Sequence, residues 1–213
     1  MKILIAGAHG ATAQLVAKRL IAETTDELVL FLRDAKRLGD WAKADCVTVV
    51  EGDVKQTETL VKALTDVDVV YSNLGGTDLA DLTSELLAAM KQAGVHRLIF
   101  YSALGALNEV PGKFGAWNEQ AIAAFLPGFR KANDLILKTP EIVTTQLRPA
   151  WLTNNDEVAY ETTSATEPFK GTEVSRKSIA DFVIRLLKDP SLYQNDSIGL
   201  DKPGTDGDQP SWI

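Results

Sequence analysis

Cysteine is almost absent: Cys46 is the only one in 213 residues. No internal disulfide can form, and a reducing compartment, the cytoplasm, is the expected location. Histidine is as scarce, with two copies. Together with a single thiol they leave too few ligands for a structural zinc centre, so no metal site is expected. No apolar run reaches the roughly 18 residues that span a bilayer. The opening Met1-Lys2-Ile3-Leu4-Ile5-Ala6-Gly7 is basic and then apolar, but it turns to glycine too soon for a secretory signal and reads as a buried strand. Positive charge is in deficit: 22 Lys and Arg against 29 Asp and Glu give −7 and a pI near 4.9. That balance speaks against nucleic acid or an anionic membrane as the main partner. The length suits one domain with a substantial core. It does not accommodate a dinucleotide domain plus a full separate catalytic domain, so any chemistry sits on a single scaffold over residues 1–213.

What the chain has in quantity is short apolar runs alternating with helical spacing. Residues 3–6, 27–32, 46–50, 67–71, 97–102 and 143–147 predict strands. Helices are predicted over 11–21, 57–64, 78–93 (closed by Gly94), 118–137 with a break at Pro127-Gly128, and 175–188 with Ser175 or Ser178 as cap. The strand runs are continuously apolar, as when helices cover both faces of a sheet. Their alternation with helices predicts βαβ units and an α/β fold, a Rossmann-type doubly wound parallel sheet. Residues 103–118 are rich in Gly and Pro and read as a flexible connection; 153–174 is the least patterned long stretch. These two segments are the expected small substrate region, since ligands lie beyond the carboxyl ends of such strands. Phe114 and Trp117 in the first of them read either as a lid over a flat ligand or as aromatics closing the local core, the commoner use. Residues 202–213 read as a surface tail with Trp212 as a candidate pin.

Gly7-Ala8-His9-Gly10-Ala11-Thr12-Ala13 follows the first strand and opens the first helix. In that place the spacing G-x-x-G-x-x-A carries a mechanism. Gly7 allows the tight turn, Gly10 lets backbone approach a pyrophosphate, and Ala13 is small enough for close helix–strand packing. The helix start at Ala11 and Thr12 presents unpaired N–H groups and a positive dipole end to phosphate. His9 is either a phosphate contact or an exposed loop histidine. The second strand ends at Leu32-Arg33-Asp34, with Lys36 and Arg37 close behind. A guanidinium at that point suits a 2′-phosphate, so Arg33 favours NADP(H) over NAD; Asp34 keeps NAD open, and a solvated charge run is the plainer alternative. Asp53, Asn73 and Ser102 each fall just past an apolar strand and so gather at one sheet edge.

These motifs resemble the short-chain dehydrogenase/reductase superfamily, in its small atypical NAD(P)H-binding branch of NmrA-like proteins and biliverdin-B or flavin-type reductases. The resemblance covers nearly the whole chain. It implies that Asp53 and Val54, in Glu51-Gly52-Asp53-Val54, lie against adenine. By the same likeness Asn73, Leu74 and Gly75 lie beside the adenine ribose, Ser102 takes the fifth-strand serine position, and Pro149, in Arg148-Pro149-Ala150-Trp151, lies beside nicotinamide. The histidine that such reductases carry beside this proline is replaced by Ala150.

The usual reductase of this superfamily places Tyr-x-x-x-Lys on the helix after the fifth strand, so that the phenol exchanges a proton with a carbonyl. Here the candidate lysine is Lys131, and four residues before it stands Pro127; none of the four tyrosines precedes a lysine at that spacing. Ser102 and Lys131 remain as catalytic candidates, Ser102 toward substrate or nicotinamide amide and Lys131 toward ribose hydroxyls. The expectation is an NADP(H)-dependent oxidoreductase that transfers hydride to a small flat acceptor of flavin or quinone type, as a monomer or homodimer. The alternative is an NADP(H)-sensing binding module without turnover. A nucleotide-sugar epimerase relative is disfavoured by the lost tyrosine.

Overall fold

A computed structural model describes residues 1–213. Six strands run through the molecule: β1 (Lys2–Ala6), β2 (Glu27–Leu32), β3 (Val47–Glu51), β4 (Val69–Ser72), β5 (Arg97–Tyr101) and β6 (Val143–Pro149); all are largely buried except β3, which lies at the sheet edge and is partly exposed. Helices α1 (Ala11–Glu23), α2 (Thr57–Ala63) and α3 (Leu79–Ala93) fill the crossovers after β1, β3 and β4. Gly94, in the left-handed region at φ 73°, ends α3. After β5 come α4 (Gly112–Ala121) and α5 (Leu126–Leu137), and late in the chain α6 (Arg176–Lys188). The sheet order is β3-β2-β1-β4-β5-β6, all parallel, which is the doubly wound Rossmann-type arrangement expected. One hydrophobic cluster lies under α1 and α6, around Ile5, Tyr71, Ile99 and Phe182; the other lies under α2, α3 and α5, around Leu4, Val70, Leu98 and Phe100. Alternate strand residues feed the two cores.

The structure extends this sheet beyond the six strands read from sequence. After β6 it adds β10 (Asp196–Asp201), parallel, and then β8 (Glu161–Thr163), antiparallel at the edge. A separate parallel pair joins β7 (Trp151–Thr153) to β9 (Glu173–Ser175). Ser175 caps α6, its hydroxyl accepting from the Ser178 N–H at 2.9 Å.

Three expectations are corrected. The break between α4 and α5 lies at 122–125, not at Pro127-Gly128; Pro127 sits in the first turn of α5, where no intrahelical N–H is needed. The segment 103–118 is not a loop throughout, because α4 starts at Gly112, with Phe114 buried. Trp212 does not pin the tail. Its ring is exposed, and the tail is held by Ser211, which donates to Glu173 Oε2 at 2.9 Å, and by Thr205, whose carbonyl accepts from Thr172 Oγ1 at 2.6 Å.

Candidate active site

The strand order reverses between β1 and β4, and a cleft of about 230 Å3 opens there at the carboxyl ends of the strands. The glycine turn, the end of β2, the β3–α2 loop and the β4–α3 loop form its walls. The turn is tied to β2 by Gly7 and Ala8 N–H groups donating to the Phe31 carbonyl at 3.0 and 3.3 Å. Gly7 has φ 74°, and a Cβ there would stand 2.7 Å from the Asn73 carbonyl oxygen; a Cβ on Gly10 would overlap the Asn73 side-chain amide nitrogen. Both glycines therefore admit Asn73 beneath the turn, a reason that the spacing alone does not reveal. Tyr71 fixes Asn73 from below, its hydroxyl donating to Oδ1 at 2.9 Å. Burial pushes the Tyr71 phenol well above its ordinary range, so it stays a donor. Gly10 caps α1 without a side-chain bond, and the first turn holds no acidic residue. The first-turn N–H groups and the positive helix end thus stay uncompensated at the cleft.

Arg33 and Arg37 line the rim, both exposed and neither in an ion pair. Asp34 also borders the cleft, but its Oδ1 accepts from the Lys36 N–H at 3.1 Å and caps a short 3-10 turn. Asp53 shapes its own loop in the same way: Oδ1 accepts from the Lys55 N–H at 2.9 Å. Val54 is buried behind it. Across the cleft Lys55 Nζ meets Asp78 Oδ2 at 2.8 Å, and this bond holds the Asp78 carboxyl below its usual range. His9 is half-exposed on the cleft wall, and its carbonyl accepts from Gln14 Nε2 at 2.8 Å.

Gly7, His9, Gly10, Arg33, Asp53, Val54, Asn73, Leu74 and Gly75 are therefore brought into one cleft. Ala11, Thr12, Ser102, Lys131 and Pro149 lie outside its walls. Ala11 is exposed at the helix start. Thr12 is buried, its hydroxyl 3.5 Å from the Tyr101 hydroxyl. Burial pushes the Tyr101 phenol up to about 12. Ser102 follows β5, its N–H donating to the Leu147 carbonyl at 2.7 Å; its hydroxyl is buried and has no partner, as is that of Ser72 at the end of β4. Pro149 ends β6 and accepts from the Leu104 N–H at 3.2 Å. Lys131 is on the exposed side of α5. Lys55, Asp78 and Leu82 are cleft residues that sequence reasoning missed. Asp78 comes two residues after the Gly75-Gly76 turn, a usable signal; Leu82 offers none.

Beyond Ser102 lies an aromatic row. Trp117 and Trp151 are half-buried with ring centres 4.8 Å apart, and Phe114 stacks on Trp117 at 6.1 Å. Phe114 belongs to the core, while the two tryptophans keep part of their surface open.

The residues present fit a phosphorylated dinucleotide. An uncompensated helix start, a glycine turn, two unpaired guanidinium groups and unpartnered hydroxyls at adjacent strand ends all offer donors to an anion-rich ligand. Comparison with known proteins agrees. The chain is 36% identical over 110 residues to an isoflavone reductase homolog of Solanum tuberosum, an alignment spanning 49% of this chain and 35% of that protein. A Rossmann-fold NAD(P)-binding family protein from Shigella flexneri has 36% identity and a TM-score of 0.83, covering 100% of this chain and 98% of its own. A short-chain dehydrogenase/reductase from Veillonella parvula DSM 2008, solved in complex with NADP, has 27% identity and a TM-score of 0.93, covering 99% and 98%. The sequence profile described as NAD(P)H-binding matches residues 7–190, from the glycine turn past the end of α6; the chain belongs to the NAD(P)H-binding family.

Proposed function

We propose that this protein is an NADP(H)-dependent oxidoreductase that passes a hydride to a flat redox acceptor of flavin or quinone type. The observation that carries the cofactor preference is at the rim: Arg33 and Arg37 are free of carboxylates, while Asp34 is engaged with the Lys36 N–H. Two guanidinium groups suit a 2′-phosphate by charge and by fork geometry. The relatives' names as reductases and the Veillonella complex with NADP support the same reading.

Bound NADPH supplies the hydride. The chain's own part is to hold and orient the ligand. Gly7, Gly10 and the α1 start receive the pyrophosphate, Val54 and Leu74 flank the adenine, and Arg33 takes the 2′-phosphate. Ser102 and Lys131 are proposed to orient the reacting end, with Pro149 beside it. Trp117 and Trp151 offer a partly open aromatic surface on which a flat acceptor can stack. No strong acid stands ready. Pro127 replaces the usual tyrosine, and burial pushes the Tyr101 phenol up to about 12. An acceptor that delocalises the added charge and takes its proton from water fits such a site; a simple ketone does not.

The same missing acid favours a second reading, an NADP(H) sensor without turnover. One experiment separates the two. NADPH and NADH binding are measured by calorimetry, and then NADPH absorbance is followed with flavin, quinone and aliphatic ketone acceptors at micromolar enzyme. Loss of absorbance with flavin or quinone supports the oxidoreductase. Tight NADPH binding with no acceptor reduced supports the sensor. Fast ketone reduction overturns the proposed chemistry.

A further inference from the structure

A second cavity, of about 480 Å3, opens at the amino ends of the strands, the opposite edge of the sheet from the cofactor cleft. It lies between the starts of β4, β5 and β6 and the last turn of α6. Val67, Val95, Val143, Leu186, Leu187 and Pro190 make its walls largely apolar.

One cation is set into this apolar wall. Arg97, the first residue of β5, is half-buried. Its Nη1 donates to the carbonyls of Leu98 at 2.8 Å and Val143 at 3.2 Å, and its Nη2 donates to Thr145 Oγ1 at 2.8 Å. Thr145 Oγ1 is itself held in place, donating to the Tyr193 carbonyl at 2.7 Å. Every partner is neutral. A guanidinium carries five N–H groups. These bonds leave the Nε–H and one Nη2 hydrogen without a protein partner, donors that a carboxylate can accept from. Neither carboxylate nearby bonds to Arg97: Asp68, which also lines the cavity, accepts from the Lys2 N–H at 2.7 Å, and Glu141 pairs with Lys91 at 3.3 Å. Desolvation with no offsetting acid lowers the Arg97 pKa, which agrees with a cation lacking a counter-charge. A partly desolvated charge is costly unless something pairs with it.

We propose that this cavity binds a small organic carboxylate with an apolar body, its headgroup on the free N–H groups of Arg97 and its tail along Val143, Leu186 and Leu187. The apolar walls do not suit a bare inorganic anion, and the guanidinium does not suit a neutral lipid. The site is separate from the cofactor cleft, because β5 and β6 each run the height of the sheet between them, roughly 17–23 Å at about 3.3 Å per residue.

Calorimetry on the whole chain, with octanoate as the probe, tests this. Octanol supplies the same tail without charge, and acetate supplies the charge without the tail. Octanoate is expected to bind at least about ten-fold more tightly than either, and saturating NADPH should leave its affinity unchanged. Arg97→Gln should bring octanoate down to the octanol level. If that variant fails to fold, Gln194→Trp, an exposed rim position whose enlarged side chain obstructs the mouth, should weaken octanoate about ten-fold with Arg97 intact. Octanoate binding no tighter than octanol overturns the proposal. So does displacement by NADPH, or octanoate affinity unmoved in both variants.

Discussion

The two halves of the carboxyl edge are built on different principles. On the proposed adenosine side, the cleft wall is made of the loops that leave β1, β2, β3 and β4, and the guanidinium groups stand free at the rim: Arg33 and Arg37 are exposed. On the proposed acceptor side, a charge is buried. Arg148 is 0% exposed, and its Nη1 donates to Glu109 Oε1 at 2.6 Å. Its Nε donates to Ser197 Oγ at 3.0 Å, and its Nη2 donates to the Ser164 and Ser197 carbonyls, each at 3.1 Å. Glu109 accepts in addition from the Gly105 and Leu107 N–H groups at 3.0 and 2.9 Å. One buried ion pair thus fastens the loop before α4, β6, β10 and the turn after β8 to each other. The difference separates recognition from architecture. Free charges at a rim are available to a ligand, whereas a fully satisfied buried pair sets the shape of the acceptor side.

The largest expected effect breaks the acceptor side. Glu109→Ala leaves the Arg148 cation buried and unpaired, which costs about 3–5 kcal/mol. For a chain of this size that is a fall in Tm of roughly 6–20 °C. Urea denaturation of parent and variant measures it. A cost below about 1 kcal/mol would show that water or a rearranged loop replaces the carboxylate, and that the pair does not organise this side.

On the adenosine side, Arg33→Ala should leave stability nearly unchanged and act on the ligand alone. Losing a charge-assisted contact to the 2′-phosphate costs about 1.5–3 kcal/mol, or roughly 10–150-fold in NADPH affinity, with NADH affinity unmoved. Calorimetry with both cofactors gives the answer. Equal losses for the two would mean that Arg33 reads the pyrophosphate or nothing at all.

The contrast also explains what could be read from the residues alone. The glycine turn, Arg33, Asp53 and Asn73 are legible because each is a local event after a continuous apolar strand, and the doubly wound order follows from that alternation. The acceptor side is not local. Arg148 and Glu109 are 39 residues apart, and β7, β8 and β9 are three-residue strands too short to show alternation. Their pairing depends on tertiary contact rather than on pattern. Pro127 misled for a related reason: proline marks both a helix break and a helix start, and only the position of the preceding turn tells which. Gly10 was legible as a close approach, but the partner that requires it, Asn73, comes from the loop after β4.

A smaller effect sharpens the acceptor side through pH. Asp201 ends β10, with Oδ2 accepting from the Gly171 N–H at 3.0 Å and Oδ1 buried without a partner. Burial pushes its carboxyl up to about 6, from an ordinary 3.8. The folded state therefore holds this proton more tightly than the unfolded chain does. Below about pH 4 both states are protonated and nothing is lost. As pH rises from about 4 to about 6 the unfolded chain releases the proton first, so stability falls; above about 6 the loss is constant. Asp201→Asn should remove this slope and raise stability near pH 7 by about 1–2 kcal/mol. Denaturation midpoints of parent and variant, compared at pH 4.5 and pH 7, should converge at the acid end. A constant gap across that range would assign the effect to packing instead.

The smallest expected effect falls where the two sides meet. Ser102 follows β5 between the cleft and the aromatic row, with a buried hydroxyl that no protein group satisfies. An unpartnered buried hydroxyl is a cost to the folded chain, so Ser102→Ala should raise stability slightly, by about 1 kcal/mol or less. If the hydroxyl is kept for substrate or the nicotinamide amide, the same change should slow flavin or quinone reduction several-fold without abolishing it, because positioning rather than proton supply sets the rate. NADPH affinity should change little, since most of the proposed contacts lie on the adenosine side. Denaturation, cofactor titration and acceptor kinetics on the one variant give the three readings together. A stability gain with unchanged turnover would make Ser102 a strand-ending residue and remove it from the site. A loss of all turnover would show that its hydroxyl supplies a proton or a contact for which the acceptor has no substitute, and the direct-transfer mechanism would then need an acid after all.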